Sequence, residues 1–534
     1  MEGTANLELQ VDHTKHRKML ITGLIIAMLF GALDGTIVGT AMPRIVGELG
    51  GLDLMTWLTT AYMLTSTTVV PIAGKLADLI GRRVIYVTGL VIFMAGSVLS
   101  GMTDNMTQLI IFRGIQGIGG GIMMPMAMII VGDLFTGKER AKWQGVFGAL
   151  YGLASVIGPQ IGGWIVDALN WRWVFYINLP VGILAAVFIW LGLNKHQSTG
   201  KVKIDLAGMF TMIVGVVSLL LALTFGGKDY AWTSWQIIGL FVLAAVAIAA
   251  FILIESKAAE PILPVSLFKN RTFTVLNGIG FLMSIGMFGA IVFVPLYMQG
   301  VVGVSASQSG TIMTPMMITM IIMSVIGGQI VYKIGVKTQI FTGLIIMAAS
   351  FWLLTTMGID TTKLTATLYM MILGMGLGLV MPILTLALQE SFPPSELGVV
   401  TSSSQFFRSI GGTFGMTILG AIMNSQSSKL LTDNLIPVLN QLPVQAKGVA
   451  DQFKTMIEND PQALYSMLLS PKALAAMPAE LKNVIVPIIK NSLVDSLNSV
   501  FWFGFVFVIL GCLLTIALNK IKLTDRKKVQ PKQE

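Results

Sequence analysis

Three features of the chain predict an all-α polytopic membrane protein with fourteen transmembrane helices. Only 11% of its 534 residues are charged, against 54% hydrophobic, where a soluble domain carries roughly 25% charged residues. The charges sit in short clusters between apolar runs of about 20 residues, each long enough to cross a hydrocarbon core of about 30 Å as a helix. The runs are continuously apolar rather than alternating, which excludes a barrel of strands.

Taken in order, the runs place spans at approximately 20–42, 54–74, 84–102, 107–132, 142–166, 174–193 and 205–226, then at 236–255, 273–298, 308–332, 339–358, 366–390, 400–423 and 497–519. The charge pattern orients them. With the N-terminus inside, 23 of the 35 Lys and Arg residues fall in inner segments and 4 in the short outer loops. That asymmetry puts both termini in the cytoplasm. It also explains the net charge of +9 as topology rather than nucleic-acid binding. The polar N-terminus has no short apolar region ending in a cleavage site, so the first span is expected to act as the targeting signal. Cys512, the single cysteine, lies in the last span and allows no disulfide framework.

The spans divide six, two and six. A cytoplasmic N-terminus (1–19) precedes a six-helix bundle (20–193). A linker with two extra spans (194–272) leads to a second six-helix bundle (273–519), and a basic tail (520–534) follows. The second bundle includes a long outer loop, 424–496, whose prolines and mixed apolar pattern read as short amphipathic helices capping the outer face. A faint repeat links the halves. G-K-L-A-D-L-I-G-R-R (74–83) and G-Q-I-V-Y-K-I-G-V-K (328–337) share glycines at the first and eighth positions, with Tyr332 in place of Asp78. Parallel repeats of six-helix halves build a site near mid-membrane in many transporters.

Charge inside hydrocarbon is costly and usually functional, and only Asp34, Arg113 and Arg408 lie well within spans. Counting from the outer ends, Asp34 is about 12 Å deep and Arg113 about 9 Å deep, so the two are expected to face each other. Burial favours the neutral acid and a guanidinium favours the carboxylate. The pair therefore makes a tunable proton site, and a cationic substrate would compete with the proton there. Arg408 has no carboxylate at its depth, with Glu390 the nearest, and is expected to snorkel toward the inner interface. Asp78 is expected to latch onto a neighbouring cation such as Arg140. In the run 154–163, Pro159 is expected to bend the fifth span, while Gly158, Gly162 and Gly163 allow a helix to approach closely. Met313, Met316, Met317, Met320 and Met323 recur at helical spacing. They suit either a promiscuous surface, with Met313 and Met317 lining a cavity, or lipid-facing filler, which is the favoured reading. Trp57, Tyr62, Gln116 and Asn178 are further candidates for the cavity lining.

Five motifs occur together and in order. They are L-D-G-T-I-V-G-T-A-M-P (33–43), the 74–83 loop, R-G-I-Q-G-I-G-G-G (113–121), the Gly-Pro-x-x-Gly-Gly run at 158–163, and W-R-W-V-F-Y-I-N-L-P-V-G (171–182). In this the chain resembles the 14-span drug/proton antiporters of the major facilitator superfamily (QacA/EmrB type). L-F-K-N-R-T-F (267–273) and Q-F-F-R-S-I-G-G (405–412) extend the likeness. The resemblance implies two six-helix bundles that alternate access to a shared site. It puts proton coupling at Asp34 with Arg113, a conformational latch at Gly74, Asp78, Gly81, Arg82 and Arg83, and an antiporter signature at Gly158, Pro159, Gly162 and Gly163. The Tyr332 departure implies asymmetric latching.

The resulting expectation is a proton-coupled multidrug efflux antiporter in a bacterial plasma membrane, exporting lipophilic and preferentially cationic small molecules. A dedicated exporter of an endogenous amphiphile, such as a lipid or secreted metabolite, is the alternative. An enzyme is disfavoured because His13, His16 and His196 all lie outside the spans. No G-x-x-x-x-G-K-[ST] loop is present for a nucleotide-driven pump. The energy source is then an ion gradient with no cofactor. Protons fit better than Na⁺, which needs several oxygen ligands. The expected partners are protons, small amphipathic molecules and the bilayer, with no nucleic acid and an undetermined oligomeric state.

Overall fold

A computed structural model describes residues 15–523 apart from 51–53, 195–202, 228, 305, 442–446, 460–463, 466, 469–478 and 522. Its long helices are α1 (Lys15–Leu49), α2 (Met55–Ile80), α3 (Arg82–Gly101), α4 (Met106–Leu134), α5 (Gly137–Ala168), α6 (Trp173–Gly192) and α7 (Leu206–Phe225). They continue as α8 (Trp235–Glu255), α9 (Arg271–Tyr297), α10 (Ala306–Ile334), α11 (Val336–Leu354), α12 (Lys363–Ser391), α13 (Leu397–Asn440) and α14 (Ala479–Ile516). Among the described residues 13 helices are long and apolar enough to cross a membrane, and α5, 32 residues long, completes the fourteen-helix order. Prolines fall inside α2, α4, α9, α10, α12, α13 and α14 without ending them. Neighbouring helices can re-satisfy the freed backbone groups in such a setting.

The first half packs α1–α6 around two buried clusters, one including Phe93, Met126 and Phe147 and one including Ile37, Leu58 and Trp171. The second half packs α9–α14 around Phe273, Phe351 and Phe501. The repeat seen in the sequence is also present in the backbone. Gly81, between α2 and α3, has φ 107° and ψ 146°, and Gly335, between α10 and α11, has φ 84° and ψ 157°. Positive φ of this kind favours glycine, so the eighth-position glycines make the same turn in both halves. The turn bearing Arg82 and Arg83 lies at one end of the bundle, here called the basic face.

The extra helices α7 and α8 straddle the seam between the halves. Phe225 of α7 packs on Trp57 of α2 with ring centroids 4.9 Å apart. On the other side, Leu223 O accepts a hydrogen bond from Thr417 of α13 at 3.1 Å. Trp57 therefore faces α7, not the buried charges. The α8 helix is outermost, with Val246 62% and Leu253 65% exposed.

Two expectations are corrected here. The 424–496 segment is not chiefly a set of separate short helices: α13 runs on to Asn440 and α14 begins at Ala479. Their extensions pack together through Leu431, Leu435, Ile485, Ile489 and Leu493, and Ser427 bonds Ser496 at 3.2 Å. The short helix Lys447–Asn459 lies against them, burying Phe453 and Ile457. Pro443, Pro461, Pro471 and Pro478 lie outside the described residues. The methionines of α10 are not lipid-facing filler either. Met316, Met317 and Met320 are buried in the second core, with Met313 packed against it, while Ile318, Ile322 and Ile326 are the exposed positions. Isoleucine takes the outer face of this helix, and the adaptable methionines fill its packed face.

Candidate functional site

Asp34 and Arg113, the two charges deep in the spans of the first half, meet directly. Asp34, at 1% exposure, lies near the middle of α1. Arg113 of α4 donates from Nη1 to Asp34 Oδ2 at 2.7 Å and to Gln116 Oε1 at 2.7 Å. Gln116 donates from Nε2 to Asp34 Oδ1 at 2.9 Å, and Asn178 of α6 donates from Nδ2 to the same oxygen at 2.9 Å. All four side chains are buried. Tyr62 of α2 lies under the guanidinium, its ring centroid 4.4 Å from Cζ. Gln116 and Asn178 are thus direct partners of Asp34 rather than cavity lining. Ser97 of α3 was missed in the sequence: its hydroxyl accepts from Asn178 Nδ2 at 2.7 Å and donates to Phe175 O at 2.9 Å. A serine among apolar residues was the only available signal.

The motifs explain how these side chains arrive together. In α4, Gly117 and Gly120 lie against Thr65 and Tyr62 of α2, where any Cβ would overlap them. That close approach brings Arg113 and Gln116 to the interior. In α5, Gly158 abuts Thr36 and Gly162 abuts Thr40 and Ile37 of α1. The Gly-Pro-x-x-Gly-Gly run therefore seats α5 on the turns of α1 directly after Asp34. Gly163 faces open space, and the side chain of Pro159 lies outside the described residues. Trp171 donates to Glu48 at 2.8 Å and Arg172 also bonds Glu48, which anchors the start of α6 and so the position of Asn178. Glu48 lies beyond the membrane-spanning part of α1 (Arg17–Met42). The Arg172 and Trp171 hydrogen bonds hold its carboxyl below the usual carboxylate range.

The second cluster closes the basic face across the two halves. Asp78 accepts from the backbone N–H of Gly398 at 3.2 Å and of Val399 at 3.1 Å. It thus caps α13 from the opposite half, where orphan N–H groups and the helix dipole favour a carboxylate. Its cation is Arg82, at 2.5 Å, which also binds Asp133 of α4 at 3.0 Å. Arg140 does not bind Asp78 as expected. It reaches Glu390 of α12 at 2.8 Å, because its guanidinium is drawn across the seam by Gln389 O and Glu390. Gln144 donates to Gln389 Oε1 at 2.5 Å, and Gln389 donates to Met128 O at 3.1 Å. Gly74 abuts Ser402 of α13, and its repeat counterpart Gly328 abuts Ala141 of α5. Arg83 instead stacks on Trp190 of α6, 3.8 Å from the ring centroid, outside this closure. Where the first half has Asp78, the second has Tyr332, 5.9 Å from Lys138 Nζ.

Arg408 is also displaced from its expected place. Its methylenes lie over Gly280 of α9, and Nη2 donates to Gln405 Oε1 at 2.6 Å. It is therefore held at depth beside α9, not at the membrane–water interface, and Glu390 is engaged elsewhere. A cavity of about 500 Å³ lined by Leu223, Trp232, Phe414, Thr417 and Phe503 lies at the α7–α13 seam and shares no residue with the Asp34 network.

The family model described as Major Facilitator Superfamily matches residues 24–416. The chain is 70% identical over 518 residues to the Multidrug transporter protein MdtP of Bacillus subtilis (strain 168), covering 97% of this chain and 96% of that protein. It is 36% identical over 515 residues to Multidrug resistance protein 3 of the same strain, covering 96% and 98%. Among solved structures, the human organic anion transporter MFSD10 (TETRAN) aligns with a TM-score of 0.59 at 13% identity, covering 93% of this chain and 100% of that one. That last likeness is one of fold alone.

Proposed function

The chain belongs to the major facilitator superfamily, and we propose that within it the protein is a proton-coupled multidrug exporter of the bacterial plasma membrane. Two similar proteins of Bacillus subtilis are called a multidrug transporter and a multidrug resistance protein. The basic face is assigned to the cytoplasm by the positive-inside pattern, with both termini on that side. The proton gradient is the energy source, and no cofactor takes part.

One observation carries the coupling: a buried carboxylate whose ionic partner is held by a second, neutral bridge. Asp34 accepts three hydrogen bonds, one of them from the charged Arg113. A proton arriving at Oδ2 takes the place of the Arg113 bond. Arg113 keeps its bond to Gln116 Oε1, so the cation is released from Asp34 without losing every partner. Loss of the ion pair loosens the contact of α1 with α4, and the closed basic face is the element such a change would bias. A lipophilic cation seated near Asp34 competes with the proton, which is the exchange an antiporter requires. The test is purified protein in liposomes under an imposed pH gradient, with ethidium as the lipophilic cation. Ethidium movement should run opposite to the proton gradient and stop when the gradient is collapsed. Ethidium flux indifferent to the gradient would refute coupling.

A further inference from the structure

The charge of the interior does not balance. Asp34 and Arg113 neutralise each other at 2.7 Å. Among the described residues, no carboxylate lies within ion-pair distance of Arg408. Its only described hydrogen bond is to Gln405, a neutral amide. A cation at membrane depth without a counter-charge is costly, and no described carboxylate offsets that cost at Arg408.

The surface that Arg408 occupies is defined by its neighbours on α13. Gly398 and Ser402 meet α2 through Asp78 and Gly74. Gly411 and Gly415 meet α9 through Phe281 and Ile285. At about 100° per residue, Gln405 and Arg408 fall between those two contact faces, on a stripe bordered by α2 of the first half and α9 of the second, while Ser409 falls on the α2 face. Both are only partly buried, whereas Thr401, on the same stripe nearer the basic face, is shut beneath Gln389. Arg408 stands about 15 Å above the Asp78 cap at 1.5 Å per residue. Gln405 gives its carbonyl oxygen to the guanidinium, which leaves its NH₂ as a further donor. The stripe therefore presents a cation and hydrogen-bond donors, directly above the closed face.

We propose that Arg408 and Gln405 form a second substrate subsite, distinct from Asp34, that binds the carboxylate of lipophilic acids and zwitterions exported by this protein. The proposal rests on the export reading above and adds a substrate class to it. A planar guanidinium beside an amide donor matches a carboxylate in geometry as well as charge. Export of an anion is also assisted by a membrane potential that is negative inside.

The experiment compares dansyl-leucine, a lipophilic acid, with its methyl ester, which is neutral and nearly the same shape. Binding to the purified full-length protein is read from dansyl fluorescence, and ethidium flux in liposomes is measured in parallel. Wild type should bind the acid more tightly than the ester. Arg408→Gln should weaken acid binding about tenfold while ester binding and ethidium flux stay within twofold, and Arg408→Lys should keep most of the acid affinity. Equal wild-type affinity for acid and ester, or an equal loss of both in Arg408→Gln, would overturn the subsite; the wild-type comparison holds even if that variant misfolds. Acid binding that depends on Arg408, together with gradient-indifferent ethidium flux, supports the subsite and refutes the coupling reading instead.

Discussion

Asp34 is surrounded by donors of two kinds, one charged and two neutral, and the difference matters for coupling. The two amides orient the carboxylate, while Arg113 alone brings an opposite charge. Removing one partner of a buried ion pair costs about 3–5 kcal/mol, because the other charge is left uncompensated. Arg113→Ala should therefore lower proton-driven efflux at least tenfold. Efflux at the wild-type rate would show that the ion pair has no part in transport. Asp34 and Arg113 were legible in the sequence because charge in an apolar run stands out. The roles of Gln116 and Asn178 were only half legible, since an amide in a span has no charge to mark its partner. Ser97 and the Arg140–Glu390 pair depend on how the two halves dock and leave no mark on either segment alone.

At the level of elements, the closed basic face is held by one helix cap as much as by ion pairs. Asp78 projects from the end of α2 onto the first amides of α13, and a carboxylate there is worth about 0.3–1 kcal/mol, rising to ~2 kcal/mol when partly buried. Asn keeps the shape and loses the charge. Asp78→Asn should therefore lower the turnover number about three- to tenfold, with KM within twofold, because it shifts the balance between conformations rather than the site. A large rise in KM at constant turnover would place Asp78 in substrate binding. The helix count and the turn glycines were readable from apolar run length and spacing. The extents of α13 and α14 beyond the membrane were not, because Pro437 and Pro487 in a mixed apolar stretch look like helix breakers. The pairing of the extended helices with each other is what sustains them. The burial of the α10 methionines was likewise invisible, since helical spacing marks a face without saying what covers it.

Across the whole molecule, the two clusters sit at different depths and have different tasks. The Asp34 network lies wholly within the first half, while the closure by Asp78, Arg140 and Gln389 spans both halves. In the proposed coupling, proton loading in one half is transmitted through α1, α4 and α5 to a seam that neither Asp34 nor Arg113 touches. The glycines of α4 and α5 suit that transmission, because they place backbone against backbone with little side-chain slack. The most direct test of this coupling is gradient-driven ethidium transport by Asp34→Asn in liposomes, measured beside ethidium exchange at equal pH on both sides. The account predicts that gradient-driven transport falls at least tenfold while gradient-free exchange persists. Gradient-driven transport by Asp34→Asn at the wild-type rate would contradict it.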